Sequence, residues 1–88
     1  MRRKLPKITV DAERFRGYLE YRRSNITEVA KGAGMSREYL YACLEKGEMS
    51  LLGALDICEF LDCDIEMPFG KQDRKTLVSL RKKFMNYI

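Results

Sequence analysis

The segment 25–47, NITEVAKGAGMSREYLYACLEKG, constrains the fold of this chain more than any other stretch. Asn25 is a preferred N-cap residue, and Glu28 three positions later matches the capping box that starts a helix. Apolar side chains then recur at helical spacing, namely Ile26, Val29, Ala30 and Ala33. Gly34 is placed to end this helix, because glycine adopts the left-handed backbone conformation without a Cβ clash.

A second helix is predicted directly after this glycine. Ser36 is a strong N-cap residue, and Gly47 is placed to end the helix. The inner stripe between them consists of Leu40, Cys43 and Leu44. The segment therefore predicts two short helices joined by a tight turn, in which Met35 is the apolar plug.

The residues that carry a family signature are Ala30, Gly34-Met35-Ser36-Arg37, Leu40, Leu44 and Lys46-Gly47. With these residues the chain resembles the lambda repressor and Cro family of phage and bacterial regulators (XRE-type, Cro/C1-type). The resemblance covers roughly residues 11–65. It implies an all-α, five-helix, lambda-repressor-like DNA-binding domain with a helix-turn-helix at about 25–46, and double-stranded DNA as the partner.

The resemblance also implies that the second motif helix enters the major groove and reads base edges. On a helical wheel, Glu38, Tyr41, Ala42 and Glu45 point outward, and Arg37 flanks them at the N-terminal end. The residues predicted to read bases are Arg37, Glu38, Tyr41 and Ala42. Arg37 suits a bidentate bond to guanine, and Glu38 suits an amino group of cytosine. Residues predicted to contact DNA phosphates are Arg22, Arg23, Asn25, Thr27, Lys31, Ser36 and Lys46. Ordinary surface arginines are the competing interpretation of Arg22, Arg23 and Arg37.

The remaining sequence predicts three further helices and an arm. Residues 1–10 are interpreted as a basic N-terminal arm that contains Arg2, Arg3 and Lys4, and that either contacts DNA or lies in solvent. Residues 11–70 form the helix-turn-helix domain. Asp11 is predicted to cap the first helix, and Ser50 to cap a well-buried fourth helix that lies against helices one and three. Residues 63–70 are predicted to be a packed extended segment or turn.

Residues 71–88 are predicted to be a basic amphipathic C-terminal helix that starts at about Asp73. Its apolar stripe consists of Leu77, Leu80, Phe84 and Tyr87. Three partners could cover this stripe: the same domain, a second copy or a membrane surface. Because one helix-turn-helix reads only a few base pairs, the favoured assembly is a homodimer that uses this stripe.

Charge and composition exclude several classes of function. The net charge is +4, with residues 1–24 and 71–88 basic, and residues 48–70 carrying six acids and no base. No histidine is present, and the three cysteines lack metal-ligand spacing, so they are interpreted as reduced core residues. We therefore expect no enzyme activity, no metal and no cofactor. No apolar run approaches the ~20 residues of a membrane span and no signal peptide pattern appears, which predicts a cytoplasmic protein.

These observations predict a sequence-specific duplex DNA-binding transcriptional regulator, a small repressor of a phage or mobile element. Two alternatives remain open at this level. One is a protein-binding module on the same fold, such as an antitoxin or a phage-encoded inhibitor with a protein partner. The other is an excisionase-like architectural protein that bends DNA.

Overall fold

Helices and one small sheet make up residues 7–72, the part of the chain that this computed structural model describes. In chain order the elements are β1 (Lys7–Thr9), α1 (Ala12–Tyr21), α2 (Ile26–Gly32), α3 (Arg37–Lys46), β2 (Glu48–Ser50), α4 (Leu51–Leu61) and α5 (Glu66–Phe69). The prediction of a mostly helical domain is confirmed. The fifth helix of this region, α5, is a single helical turn at the place where a packed extended segment or turn was predicted.

Several predicted features lie outside the described residues. These are the arm residues Arg2, Arg3 and Lys4, the C-terminal helix predicted from Asp73, and its stripe of Leu77, Leu80, Phe84 and Tyr87. They stay predictions.

Side-chain caps start the four longer helices where the sequence predicts them. The side chains of Asp11, Asn25, Ser36 and Ser50 each accept a hydrogen bond from the backbone N–H three residues later, at 2.9–3.2 Å. Each bond satisfies one of the amide groups that a helix start leaves without an internal partner. The predicted capping box is incomplete, because the Glu28 carboxylate pairs with the Ser24 hydroxyl at 3.2 Å.

The turn between α2 and α3 is a complete Schellman closure. Gly34 has a φ of +74°, and its N–H donates to the Lys31 carbonyl at 3.2 Å. The Met35 N–H donates to the Ala30 carbonyl at 2.9 Å. Ala30 is buried and α2 packs against α3. The local signals at Ala30 and Gly34 therefore predict the path of the chain through this turn.

The strands show that the folded body begins earlier than predicted. β1 pairs antiparallel with β2, with Ile8 opposite Met49, and both side chains are buried. Val10 is also buried, and its N–H donates to the Gly47 carbonyl at 2.9 Å. Ile8 and Val10, assigned to the arm because of the basic composition of this end of the chain, thus belong to the core, whereas Lys7 and Thr9 are exposed. The alternation of Ile8 and Val10 with polar residues has the period of a strand.

Gln72 closes the open edge of β1. Its amide nitrogen donates to the carbonyls of Thr9 and Gly70 at 3.0 Å each, and its amide oxygen accepts from the Thr9 N–H at 3.1 Å. The side chain is buried. It replaces the backbone of a third strand, so the N–H and C=O of Thr9 are satisfied.

All seven elements contribute buried side chains to the core. The rings of Phe15 in α1 and Phe69 in α5 are 5.4 Å apart. α5 forms in the segment that was predicted to be extended or a turn, and it tolerates Pro68 because this residue falls in the first turn of a helix, where its missing N–H has no partner to lose. α4 packs mainly on α2 and the strands, rather than on α1 and α3 as predicted. Leu52 and Phe60 on its outer side are 46% exposed, so its apolar stripe is wider than the surface it buries.

Candidate nucleic-acid interface

The outward face of α3 is exposed because the inner face of the helix packs against the core. Leu40, Cys43 and Leu44 are buried against the core. At 100° per residue, Glu38, Tyr41, Ala42 and Glu45 lie on the side away from this stripe, and Arg37 flanks them at the N-terminal end of the helix. All five side chains are exposed, and we call these five positions the α3 face.

Arg37 and Glu38 form an ion pair on this face. Arg37 Nη2 lies 3.8 Å from Glu38 Oε1, and the two side chains are 57% and 79% exposed. An exposed pair of this kind contributes about 0–1 kcal/mol, so it does not hold the guanidinium against a stronger acceptor. The arginine can therefore exchange Glu38 for a base edge or a phosphate, although the carboxylate competes with both.

Three of the seven predicted phosphate contacts, Asn25, Thr27 and Ser36, lie at the starts of α2 and α3. The side-chain oxygens of Asn25 and Ser36 accept capping hydrogen bonds, which leaves the Asn25 amide N–H and the Ser36 O–H as donors for a phosphate, beside the backbone N–H groups of the helix starts. Thr27 and Lys31 are both exposed and lie one turn apart on α2, hence on the same side of that helix.

Arg22 and Arg23 lie at the end of α1, just before α2. Arg22 Nη1 donates to the Tyr18 hydroxyl at 2.8 Å, and its guanidinium is 5.7 Å from the Tyr18 ring centre. This hydrogen bond to the Tyr18 hydroxyl raises the pKa of Arg22, so the side chain stays charged. Arg23 has a φ of +54° and closes α1 in a left-handed conformation. The two arginines are exposed, but Arg22 is oriented by a tyrosine rather than extended into solvent.

Lys46 lies at the opposite end of α3 from Ser36 and Arg37. Lys46 follows Arg37 by nine positions, which corresponds to about 14 Å along the helix axis. This length is comparable with the ~12 Å width of the major groove. A helix lying in the groove could therefore place Arg37 and Lys46 near different phosphates, but not near the same one.

Two residues make tertiary side-chain contacts that the sequence analysis did not predict. Tyr39 is 42% exposed on the flank of α3, and its hydroxyl is 3.5 Å from the Ser50 hydroxyl. The only sequence signal for this contact is the wheel position of Tyr39, between the buried and outward faces. Gln72 is far from α3 in sequence and stabilises β1, and no local pattern indicates this role.

The described region, residues 7–72, is acidic overall rather than uniformly basic. Residues 7–72 contain nine basic and twelve acidic side chains, a net charge of −3. The ends of the chain, 1–6 and 73–88, carry the compensating +7. Asp56 and Glu59 on α4, and Asp62 directly after it, are exposed. Attraction to a polyanion would therefore depend on the two ends and on the few arginines and lysines near α2 and α3.

Other kinds of site find little support in the described part of the chain. Within residues 7–72, no group of three or more His, Cys, Asp or Glu side chains is arranged to hold a metal ion. None of the helices there has the length and apolar character required to cross a membrane. Comparison with protein-family models, curated proteins and solved structures found no match for this chain. Any assignment of family or function therefore rests on the residues and their geometry.

Proposed function

We propose that this chain is a lambda-repressor-like helix-turn-helix protein that binds duplex DNA as a small transcriptional regulator. One observation carries the proposal. The α2–turn–α3 unit is closed internally by Gly34 and the buried Ala30, while the α3 face is left exposed by the rest of the domain. A helix with a rigid inner attachment and an uncovered outer face is what insertion into the major groove requires.

In the proposed complex, α3 lies in the major groove and the α3 face meets the base edges. Arg37 donates two hydrogen bonds to guanine O6 and N7, and Glu38 accepts from cytosine N4. Ala42 is short enough to let the helix approach and places its methyl group near a thymine methyl. Tyr41, 44% exposed, reaches a sugar or a phosphate.

Phosphate contacts position this helix. They come from the N–H groups at the start of α3, from Thr27 and Lys31 on α2, and from Arg22 and Arg23. Because residues 7–72 are net negative, the basic ends supply much of the sequence-independent attraction. The arm, with Arg2, Arg3 and Lys4, is the part of the N-terminal end that would contact the backbone.

The proposed assembly on DNA is a homodimer. Two copies related by a two-fold axis would read half-sites about one helical turn apart, which gives enough base pairs to specify an operator. The predicted stripe of Leu77, Leu80, Phe84 and Tyr87 is the proposed contact between copies.

A protein-binding module is the second candidate, and one observation favours it. The α3 face carries Glu38 and Glu45 against a single arginine, and the described body is acidic overall. Such a surface would suit a basic protein partner as well as it suits DNA. The module would then act as an antitoxin or inhibitor and would use the same helix face.

Selection of binding sites from random duplex DNA distinguishes these candidates. The full chain, the Arg37→Ala variant and the Arg16→Ala variant would be compared at fixed salt. Arg16 is an exposed arginine of α1, so its removal matches the change in charge without altering the α3 face. The proposal predicts that the wild type and Arg16→Ala enrich the same palindromic sequence. Arg37→Ala should no longer select a particular base at one or two positions of that sequence. No enrichment by the wild type would favour the protein-binding module.

A further inference from the structure

The end of α4 brings two cysteines together. The Cys63 N–H donates to the Cys58 carbonyl at 3.1 Å, and the Asp62 N–H donates to the Glu59 carbonyl at 3.2 Å. Asp62 has a φ of +51°, which completes a Schellman closure with an aspartate in the left-handed position. In this closure the residue after the left-handed one packs against the residue five positions earlier. Here these residues are Cys63 and Cys58.

The backbone hydrogen bond limits the distance between the two Cα atoms. Adding standard bond lengths on either side of the 3.1 Å contact gives at most about 7 Å for a straight arrangement. The angles at the carbonyl oxygen and the amide nitrogen bend this path and shorten the distance. Disulfide-bonded cysteines have Cα atoms about 4.4–6.8 Å apart. The backbone closure therefore places the two cysteines within the Cα separation that a disulfide requires.

The two thiols differ in their access to solvent. Cys58 is 6% exposed, and its burial raises the pKa of its thiol, so it stays protonated. Cys63 is only partly buried, at the edge of the core. Cys43, the third cysteine, is buried on the inner face of α3. Cys63 is therefore the thiol that a reagent in solution meets first, and Cys58 is the thiol behind it.

We propose that Cys58 and Cys63 are a reversible intramolecular disulfide site that is oxidised by small-molecule disulfides such as oxidised glutathione. The Cys63 thiolate attacks one sulfur of the small molecule and releases one thiolate. Cys58 gives its proton to solvent, attacks the Cys63 sulfur and expels the second thiolate. One protein disulfide forms, and one small-molecule disulfide is reduced to two thiols.

The site adjoins a residue of the proposed DNA interface. Burial raises the pKa of Tyr18, with the neighbouring Cys63 as a further cause, and the Tyr18 hydroxyl accepts the hydrogen bond from Arg22. The disulfide itself does not depend on DNA binding, so its test is independent of the proposed function.

Oxidation of the full chain by oxidised glutathione tests the inference. We expect the reaction to consume two of the three thiols, with no glutathione retained in the product. Peptide mapping should join residues 58 and 63, and dithiothreitol should restore all three thiols. The Cys43→Ser variant should behave in the same way as the wild type.

Two variants separate the steps of the reaction. Cys58→Ser should stop at a stable glutathione adduct on Cys63, because the resolving thiol is missing. Cys63→Ser should leave both remaining thiols unmodified in the folded protein, because both are buried. A wild-type product that retains glutathione, links two chains, joins other cysteines or keeps all three thiols would overturn the inference. The wild-type mapping decides this even if a variant does not fold.

Discussion

Replacement of Gly34 by alanine tests the turn on which the exposure of the α3 face depends. Gly34 has a φ of +74°, between the end of α2 and the start of α3. A Cβ atom added there would meet no other group within 4 Å. The substitution therefore creates no clash with another part of the protein, and its effect comes from the local backbone conformation alone.

The expected effect follows from two opposing terms. The left-handed conformation costs an L-residue about 1–2 kcal/mol, whereas alanine lowers the entropy of the unfolded chain and returns about 0.4–1 kcal/mol. The net loss of unfolding free energy is about 1 kcal/mol. For a domain of this size, that loss lowers the melting temperature by about 4–8 °C.

Gly17→Ala is the matched control. Gly17 lies within α1, and a Cβ there also meets nothing within 4 Å. The same chemical change should increase the unfolding free energy by about 0.5–1 kcal/mol, because glycine is unfavourable inside a helix. Thermal and urea unfolding of both variants, followed by far-UV circular dichroism, measures the two effects. If Gly34→Ala were as stable as the wild type while Gly17→Ala behaved as expected, the left-handed turn would be refuted.

Four further predictions concern DNA binding, the sheet and assembly. Arg37→Ala should weaken binding to the selected site by about 1–3 kcal/mol while binding to random DNA changes far less; equal losses in a titration of both DNAs would make Arg37 a phosphate contact only. Deletion of residues 1–4 should flatten the plot of log affinity against log salt by about 0.9 per lost phosphate contact, and an unchanged slope would place the arm in solvent. Gln72→Leu should lower the unfolding free energy in urea by about 1–3 kcal/mol, because the edge of β1 loses its partners; an unchanged value would mean that water replaces them. Sedimentation at micromolar concentration should show a dimer that the Leu80→Asp, Phe84→Asp double variant separates; a wild-type monomer would contradict the dimer, and unfolding of the variant would show that the stripe packs on its own domain.

The features that the sequence alone determined depend on contacts between residues close together in the chain. Each N-cap at Asp11, Asn25, Ser36 and Ser50 bonds to an amide three residues later, and the closure at Gly34 involves only the preceding turn. The outward face of α3 follows from helical periodicity in the same way. Such hydrogen bonds and wheel positions need no knowledge of the rest of the fold.

For the candidate site too, the sequence predicted helix ends and outward positions but not contacts between side chains. Periodicity places Glu38, Tyr41 and Ala42 on the outward side of α3, but it does not show the ion pair that Arg37 makes with Glu38. Nor does it show that Arg22 is held by Tyr18. Side-chain pairs of this kind depend on rotamers, and several rotamers are compatible with the same sequence spacing.

The tertiary structure decided the features that join distant parts of the chain. β1 and β2 pair across about forty residues of sequence, and Gln72 bonds to Thr9 across an even longer separation. Neither strand has more than three residues, so its pattern is too short to be distinguished from an arm or a loop. The tertiary structure also decides which apolar residues of α4 are buried, because this depends on where α2 and the sheet end. Burial is a property of the assembled core, and a helix that is apolar on most sides does not specify which of those sides the core covers.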